Sequence, residues 1–206
     1  MTITLGISCF YHDAAAALVC DGEIIAAAQE ERFSRKKGDP SFPASAINYC
    51  LEEARIAVSD VDSVVFYDRP GLTFDRMVKS FLSVAPRGYA AWREAMPRWM
   101  GEKFHTETII ASGISESGMG QDALGRIGYG GPVLYTPHHL AHAAAAFFPS
   151  AFERAAVLTI DGVGEWATTS LALGRGESLE IHREIHFPHS LGLLYSAFTY
   201  YTGFKV

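Results

Sequence analysis

The chain lacks the features that would place it in a membrane or outside the cell. No run of about 18 residues is continuously apolar, so we expect no membrane-spanning helix. No basic segment precedes an apolar one at the N-terminus, so we expect no signal peptide. The chain has only three cysteines, which form no CxxC pair and which lie in mostly apolar surroundings. This cysteine usage suits a reducing compartment and predicts a cytoplasmic protein.

Positive charge is also scarce. The 206 residues include 17 Lys and Arg against 23 Asp and Glu, for a net charge of −6. Without a basic stripe, neither nucleic acid nor an anionic membrane is an expected partner. Apolar residues are abundant at 49%, which is enough for a sizeable core in a chain of this length.

Strand-like and helix-like apolar patterns alternate along the chain. Strands are predicted at 3–9, 14–20 and 23–29, the last two joined by the hairpin signal Asp21-Gly22. The remaining predictions are a loop at 30–43, a helix at 44–56, a strand at 61–67, helical segments at 72–112 broken at Pro86 and Pro97, a glycine-rich loop at 113–131, a strand at 132–135, a helix at 138–148, strands at 155–160, 166–173 and 179–187, and a helix at 191–201.

This order favours an α/β fold built from two similar halves. Each half would open with a β-meander whose first turn faces a shared cleft. We therefore assign residues 1–154 to the first half and residues 155–206 to the start of the second, with the rest of that half expected beyond Val206.

Two histidines and an aspartate suit a metal site. His138 and His142 are four residues apart, so a helix places them on one face, and Asp161 ends an apolar strand. Two imidazoles and a carboxylate suit a divalent transition metal with open coordination positions. An HxxxH pair alone is also typical of surface or capping histidines, but the alanine-rich flank favours metal because buried imidazoles need partners. His139 faces another direction, and its role is left open.

The glycines after Asp161 suggest a nucleotide. Gly162 and Gly164 would let backbone N–H groups approach a phosphate, although Asp followed by Gly is also a common turn. Val163 and Glu165 fit no P-loop, so the nucleotide is inferred from the fold type.

The turn at His12-Asp13 allows two interpretations. His12 between two apolar strands is suited to act as a general base near neutral pH, but a structural turn pair has the same pattern, and both remain open. The basic loop containing Arg32 and Arg35 is either solvated or able to clamp an anionic leaving group.

Six motifs in order resemble the O-carbamoyltransferase family, whose members carbamoylate nodulation factors, cephalosporin precursors and aminoglycoside antibiotics. The resemblance covers nearly the whole chain. The motifs are Leu5-Gly6-Ile7-Ser8 through His12-Asp13-Ala14-Ala15-Ala16, Asp21-Gly22, Glu30-Glu31-Arg32-Phe33-Ser34-Arg35, His138-His139-Leu140-Ala141-His142-Ala143, Asp161-Gly162-Val163-Gly164-Glu165 and Ser190-Leu191-Gly192-Leu193-Leu194-Tyr195.

The resemblance implies an actin-like ATPase (ribonuclease H-like) fold with a metal between its halves. It also implies a C-terminal domain, absent from this chain, that makes carbamoyladenylate from carbamoyl phosphate and ATP. The N-terminal domain would then pass the carbamoyl group to a hydroxyl of a small-molecule or sugar acceptor. On this resemblance His138, His142 and Asp161 are ligands of a metal, usually iron, and a fourth ligand, another Asp, lies beyond Val206. His12 matches the base that deprotonates the acceptor hydroxyl. The 206 residues alone are expected to be inactive.

One departure from the family and three alternative functions remain. Lys36-Lys37-Gly38 stands where the family often has a His, which puts acceptor contacts in that loop in question.

An actin-like ATPase or sugar kinase would use Mg²⁺ through carboxylates and water rather than through imidazoles. A relative of the tRNA threonylcarbamoyltransferase shares the HxxxH helix, but the acidic charge argues against a tRNA substrate. A non-catalytic binding module is the third alternative. The acceptor and the oligomeric state are left open.

Overall fold

The computed structural model describes residues 1–98, 106–116 and 129–205. The chain divides into two compact units, one formed by residues 1–67 and 98–135 and the other by residues 68–97 and 136–206. The predicted glycine-rich loop lies mostly outside the described residues. The assignment of residues 155–206 to a second half stays a prediction. Among the described helices, none combines the length and the apolar character that crossing a membrane requires.

The first unit contains a five-stranded mixed sheet. Its strands are β1 (Ile3–Ser8), β2 (Ala15–Cys20), β3 (Glu23–Gln29), β4 (Ser63–Phe66) and β5 (Val133–Tyr135), in the spatial order β3-β2-β1-β4-β5. The first three strands form an antiparallel meander, while β4 pairs parallel to β1 and β5 pairs parallel to β4. This strand order and direction confirm the predicted ribonuclease H-like α/β fold.

The core of this unit follows the two apolar periodicities of the sequence. Every second residue of β1 is buried, and helix α2 (Ala44–Ala54) packs Ile47 and Leu51 against the meander. A 3₁₀ turn at Val58–Asp60 connects α2 to β4, and α5 (Thr106–Glu116) adds further apolar side chains to the core. Cys9 and Cys50 are buried, whereas Cys20, at the end of β2, is only partly buried.

The second unit contains a three-stranded antiparallel sheet. Its strands β6 (Arg154–Ile160), β7 (Ala167–Arg175) and β8 (Ser178–His186) pair in chain order. Helix α6 (His138–Phe147) packs on this sheet, with the Phe147 ring lying over Gly174. A Cβ at position 174 would lie only 2.5 Å from that ring, so glycine permits the close approach of helix and strand. Helices α3 (Pro70–Val84), α4 (Tyr89–Arg98) and α7 (Leu191–Tyr201) complete the described elements.

Three local predictions need correction. The predicted loop at 113–131 begins inside α5, because Ile114 packs into the apolar core and extends the helix to Glu116. The predicted loop at 30–43 begins with a one-turn helix, α1 (Glu31–Ser34), which is completed by bonds from the N–H groups of Phe33 and Ser34 to the Glu30 carbonyl. Pro86 separates α3 from α4 as predicted, but Pro97 lies within α4. The proline removes one helical N–H donor, and the helix nevertheless includes Arg98.

Candidate metal centre

The structure brings the three predicted metal ligands together. His138 and His142 lie one turn apart on α6, and Asp161 directly follows β6. Their ligand atoms all lie within 4.8 Å of one another. The His138 Nε2 atom is 3.0 Å from Asp161 Oδ2 and 3.0 Å from His142 Nε2, while His142 Nε2 is 4.0 Å from Asp161 Oδ2.

Backbone structure fixes the position of Asp161. Its N–H donates to the Thr168 carbonyl at 2.9 Å and so continues the β6–β7 ladder to the end of the strand. One carboxylate oxygen, Oδ1, accepts the N–H of Gly162 at 2.6 Å, which leaves Oδ2 directed at His138. A simple aspartate–glycine turn therefore accounts for the contact of Oδ1 but not for the contact of Oδ2 with His138.

Mutual electrostatics prepare Asp161 and His142 to act as ligands, whereas a metal must displace a proton from His138, whose pKa is raised. The hydrogen bond with His138 outweighs burial and, with the Gly162 N–H, lowers the pKa of Asp161 from 3.8 to about 2. Burial lowers the pKa of His142, and the charge of His138 lowers it further. Burial also opposes charge on His138, but its hydrogen bond to Asp161 and the nearby carboxylates raise its pKa overall. An ionised Asp161 and a neutral His142 are in the protonation states that metal ions require.

The donor set fits a divalent transition metal. For metal–ligand bonds of about 2.1 Å at right angles, neighbouring ligand atoms lie about 3.0 Å apart. Two of the three separations here are 3.0 Å. Two imidazoles and one carboxylate are also the ligand types of metal sites that keep open positions. The three side chains can therefore hold one ion without a large rearrangement.

Sequence reasoning missed the part played by Glu165 near this site. Glu165 is buried, and its carboxylate accepts the backbone N–H of His138, with N–O distances of 2.9 and 3.1 Å. The same carboxylate accepts the N–H of Arg69 at 3.2 Å. Burial raises its pKa. In the sequence, Glu165 is only an acidic residue that follows Gly164. Its hydrogen-bond partners cannot be predicted until the positions of the neighbouring helices are known.

His139, whose role the sequence left open, lies in the interior. Its side chain is buried, and its Nδ1 lies 3.0 Å from the hydroxyl oxygen of Ser170 on β7. Its Nε2 has no hydrogen-bond partner among the described residues. Burial lowers its pKa, which favours the neutral ring. The imidazole therefore anchors α6 to the sheet and is not exposed to a substrate.

The two glycines after Asp161 have structural roles of their own. The N–H of Gly162 is bonded to Asp161, and the N–H of Gly164 donates to the Ala167 carbonyl at 2.9 Å. A Cβ at Gly164 would lie 3.1 Å from Cδ2 of both His138 and His139, so α6 can pack closely here. Nucleotide binding by these glycines stays a prediction, and a phosphate bound through either N–H would replace an existing bond.

A second contact missed by sequence reasoning joins α7 to the ligand turn. Ser190 caps α7 by accepting the Leu193 N–H at 3.0 Å, and its hydroxyl lies 2.7 Å from the Gly162 carbonyl. A side chain at Gly192 would overlap the carbonyl group of Asp161. Glycine and serine at these positions therefore let α7 begin directly on the backbone of the ligand turn.

The predicted base lies in the first unit, in the turn between β1 and β2. His12 Nδ1 is 2.7 Å from Asp13 Oδ2, and both side chains are exposed. Asp13 has a positive φ of 51°, a conformation that Asp and Asn tolerate better than most residues. The Ala14 N–H donates to the Asp39 carbonyl and so connects this turn to the loop after α1. Catalysis by His12 stays a prediction.

Comparison with known proteins shows which families and proteins this chain resembles. The family described as the carbamoyltransferase N-terminus matches residues 3–206. An uncharacterized protein of Synechocystis sp. is 56% identical over 208 residues, covering 100% of this chain and 33% of the relative. Nodulation protein NolNO of Sinorhizobium fredii is 33% identical, covering 95% of this chain and 26% of that protein. The chain thus spans about a third or less of the length of these relatives.

Solved structures give a weaker match. YeaZ from Pseudomonas aeruginosa is 17% identical with a TM-score of 0.39, covering 91% of this chain and 68% of that structure. The match to the family extends over nearly the whole chain and includes all of the ligand residues described above. On that ground the chain belongs to the carbamoyltransferase N-terminal family.

Proposed function

We propose that this chain is the metal-holding and acceptor-activating part of an O-carbamoyltransferase. The reaction is transfer of a carbamoyl group from carbamoyladenylate to a hydroxyl of a small-molecule or sugar acceptor. The observation that carries the proposal is the convergence of His138, His142 and Asp161 ligand atoms within 4.8 Å in a member of this family. Carbamoyl phosphate and ATP would be converted to carbamoyladenylate by a domain outside these 206 residues.

The chemistry assigns one proton transfer to this chain. The acceptor oxygen bonds to the carbamoyl carbon, the bond from that carbon to the adenylate phosphate oxygen breaks, and AMP leaves. His12 Nε2 receives the hydroxyl proton, while the Asp13 carboxylate holds Nδ1–H at 2.7 Å and keeps Nε2 available as the base. A metal held by His138, His142 and Asp161 would supply Lewis acidity toward a phosphate or carbonyl oxygen.

The ligand set favours this function over an ATPase or sugar kinase. Mg²⁺ prefers oxygen ligands and retains several waters, whereas imidazole suits iron, zinc and related metals. Iron is the metal that we propose for this site, in line with the family resemblance.

Metal analysis of the intact protein tests the proposal. His138→Ala and Asp161→Ala should each lose bound metal, because two remaining ligands hold an ion poorly. His182→Ala removes an exposed histidine of β8 and should retain the metal of the wild-type protein. Unchanged metal content in both ligand variants would overturn the assignment. The 206 residues alone should bind metal more weakly than the intact protein if a further ligand lies outside them.

A further inference from the structure

We propose that Glu165 is a positioning residue for the metal-ligand helix α6, an inference that rests on the proposed metal site. Glu165 is itself no ligand, because its carboxylate is occupied by backbone donors. It accepts the N–H of His138 and the N–H of Arg69. The first of these residues is a proposed ligand, so Glu165 acts directly on the backbone that carries a ligand imidazole.

The N-termini of α6 and α3 explain why the Glu165 carboxylate is buried at this position. The first N–H groups of a helix have no partner within it, and they carry partial positive charge. Pro137 precedes α6 and provides no side-chain cap, and Arg69 precedes α3 without a capping side chain of its own. Glu165 supplies the missing acceptor to both helix starts. Two helix N-termini facing one carboxylate offset part of the cost of burying its charge.

The position of Glu165 in the chain links it to the third ligand. Asp161 and Glu165 stand at the two ends of a five-residue segment in the β6–β7 connection, and the N–H groups of Asp161 and Gly164 tie this segment to the Thr168 and Ala167 carbonyls of β7. One end of the segment therefore contacts the His138 ring and the other end contacts the His138 backbone. This arrangement fixes both the location and the orientation of His138 relative to Asp161.

Two substitutions and a matched control separate positioning from general stability. Glu165→Ala removes both acceptor atoms, Glu165→Gln keeps one amide oxygen that can accept an N–H, and Glu177→Gln makes the same charge change at an exposed turn of the same unit. Each intact protein would be titrated with Co²⁺, whose visible absorption reports the geometry of its ligands. Hydrogen exchange over residues 136–148 would report the protection of the α6 amides.

The expected result is graded. Removing groups that orient metal ligands commonly weakens metal binding by about 10–100-fold. We expect a loss in that range for Glu165→Ala, a smaller loss for Glu165→Gln, an altered Co²⁺ spectrum for both, and faster exchange at the start of α6. Glu177→Gln should match the wild-type protein. If Glu165→Ala fails to fold, the Co²⁺ affinity and spectrum of Glu165→Gln decide the question.

Failure of this inference is distinct from failure of the proposed function. A wild-type protein whose Co²⁺ binding does not depend on His138 and Asp161 would overturn the metal site itself. A wild-type protein that binds Co²⁺ through those residues, with unchanged affinity, spectrum and exchange in the folded Glu165 variants, would overturn only the positioning role.

Discussion

His138 Nε2 lies 3.0 Å from Asp161 Oδ2, and this contact joins the first turn of α6 to the residue that follows β6. The two residues come from different elements, and their hydrogen bond restricts the positions of both side chains. Because the same two atoms are the proposed ligand atoms, an ion would replace the proton that they now share. The fold thus holds two proposed ligand atoms at a separation close to the one expected around a bound ion.

Asp161→Asn should weaken metal binding less than Asp161→Ala. The amide keeps an oxygen at the ligand position but loses the negative charge that favours a divalent ion, whereas alanine loses both. Titration calorimetry of the intact protein with Co²⁺ or Zn²⁺ measures the difference. Asp75→Asn removes a carboxylate that pairs with Lys79 on α3 and serves as the control. Equal affinities in all four proteins would contradict the prediction.

His12→Asn should stop transfer to the acceptor but leave carbamoyladenylate formation intact. Asparagine cannot take the acceptor proton, while the proposed function assigns the adenylating chemistry to residues outside these 206. Asp13→Asn keeps an oxygen near His12 Nδ1 and tolerates the positive φ, so it should slow transfer to a lesser degree. Pyrophosphate release and carbamoylated product would be measured separately. Loss of both half-reactions in His12→Asn would assign His12 to the fold or to nucleotide binding.

Gly192→Ala should destabilise the ligand turn and reduce metal affinity. The new methyl group would overlap the backbone of Asp161, and backbone atoms cannot move aside as the end of a side chain can. Overpacking of this kind typically costs about 1–3 kcal/mol. Gly71→Ala on α3 is the matched control, because nothing lies within 4 Å of its added Cβ. Denaturant unfolding and Co²⁺ titration give the two readouts, and identical behaviour of the two variants would contradict the expected overlap.

Asp39 should make the first unit sensitive to acid. Hydrogen bonds from the Ser34 hydroxyl, and from the hydroxyl and N–H of Ser41, lower its pKa from 3.8 to about 2. A carboxyl with a lowered folded pKa contributes stability above its unfolded value and loses that contribution as pH falls through the folded value. The difference in unfolding free energy between wild type and Asp39→Asn should therefore be constant near neutral pH and shrink between pH 3.8 and about 2. A difference independent of pH would contradict this assignment.

The 206 residues alone should self-associate through α7. Its large apolar side chains are exposed, among them Leu194, Tyr195 and Phe198, and an exposed apolar patch of this kind is typical of an interaction surface. Sedimentation velocity should show concentration-dependent association that Phe198→Glu reduces. Tyr89→Ser replaces an exposed aromatic residue on α4 and should leave association unchanged. A monomer at all concentrations would rule out the proposed surface.

The sequence predicted the elements well wherever a periodic apolar pattern coincided with a boundary signal. The strand at 23–29 and the helix at 191–201 have the predicted bounds, and the strand at 3–9 is one residue shorter. Asp21 and Gly22 both have positive φ, as the hairpin signal requires. The one-turn helix α1 was not predicted, because its four residues are too few to show a helical apolar period.

In the candidate metal site, the proposed ligands could be predicted from the sequence, but their supporting contacts could not. The His138–His142 pair follows from helical spacing, and Asp161 follows from the end of an apolar strand, so local patterns were sufficient to select the three residues that the structure brings together. The supporting contacts of Glu165, Gly192 and Ser170 involve residues that are distant in the chain. Nothing in a single sequence indicates which backbone a buried acid or a glycine will meet, because that depends on the packing of whole elements.

The bond between His138 and Asp161 spans 23 residues, and those residues contain the whole of β6. In polymer terms, an ion held by both residues would be a non-covalent cross-link that closes a loop of moderate length. Loop closure costs entropy that grows only slowly with length, and here folding of the sheet has already brought the loop ends together. Binding of the ion would therefore not have to overcome the entropy cost of closing this loop. The cross-link would in turn hold the two loop ends together as the rest of the chain fluctuates.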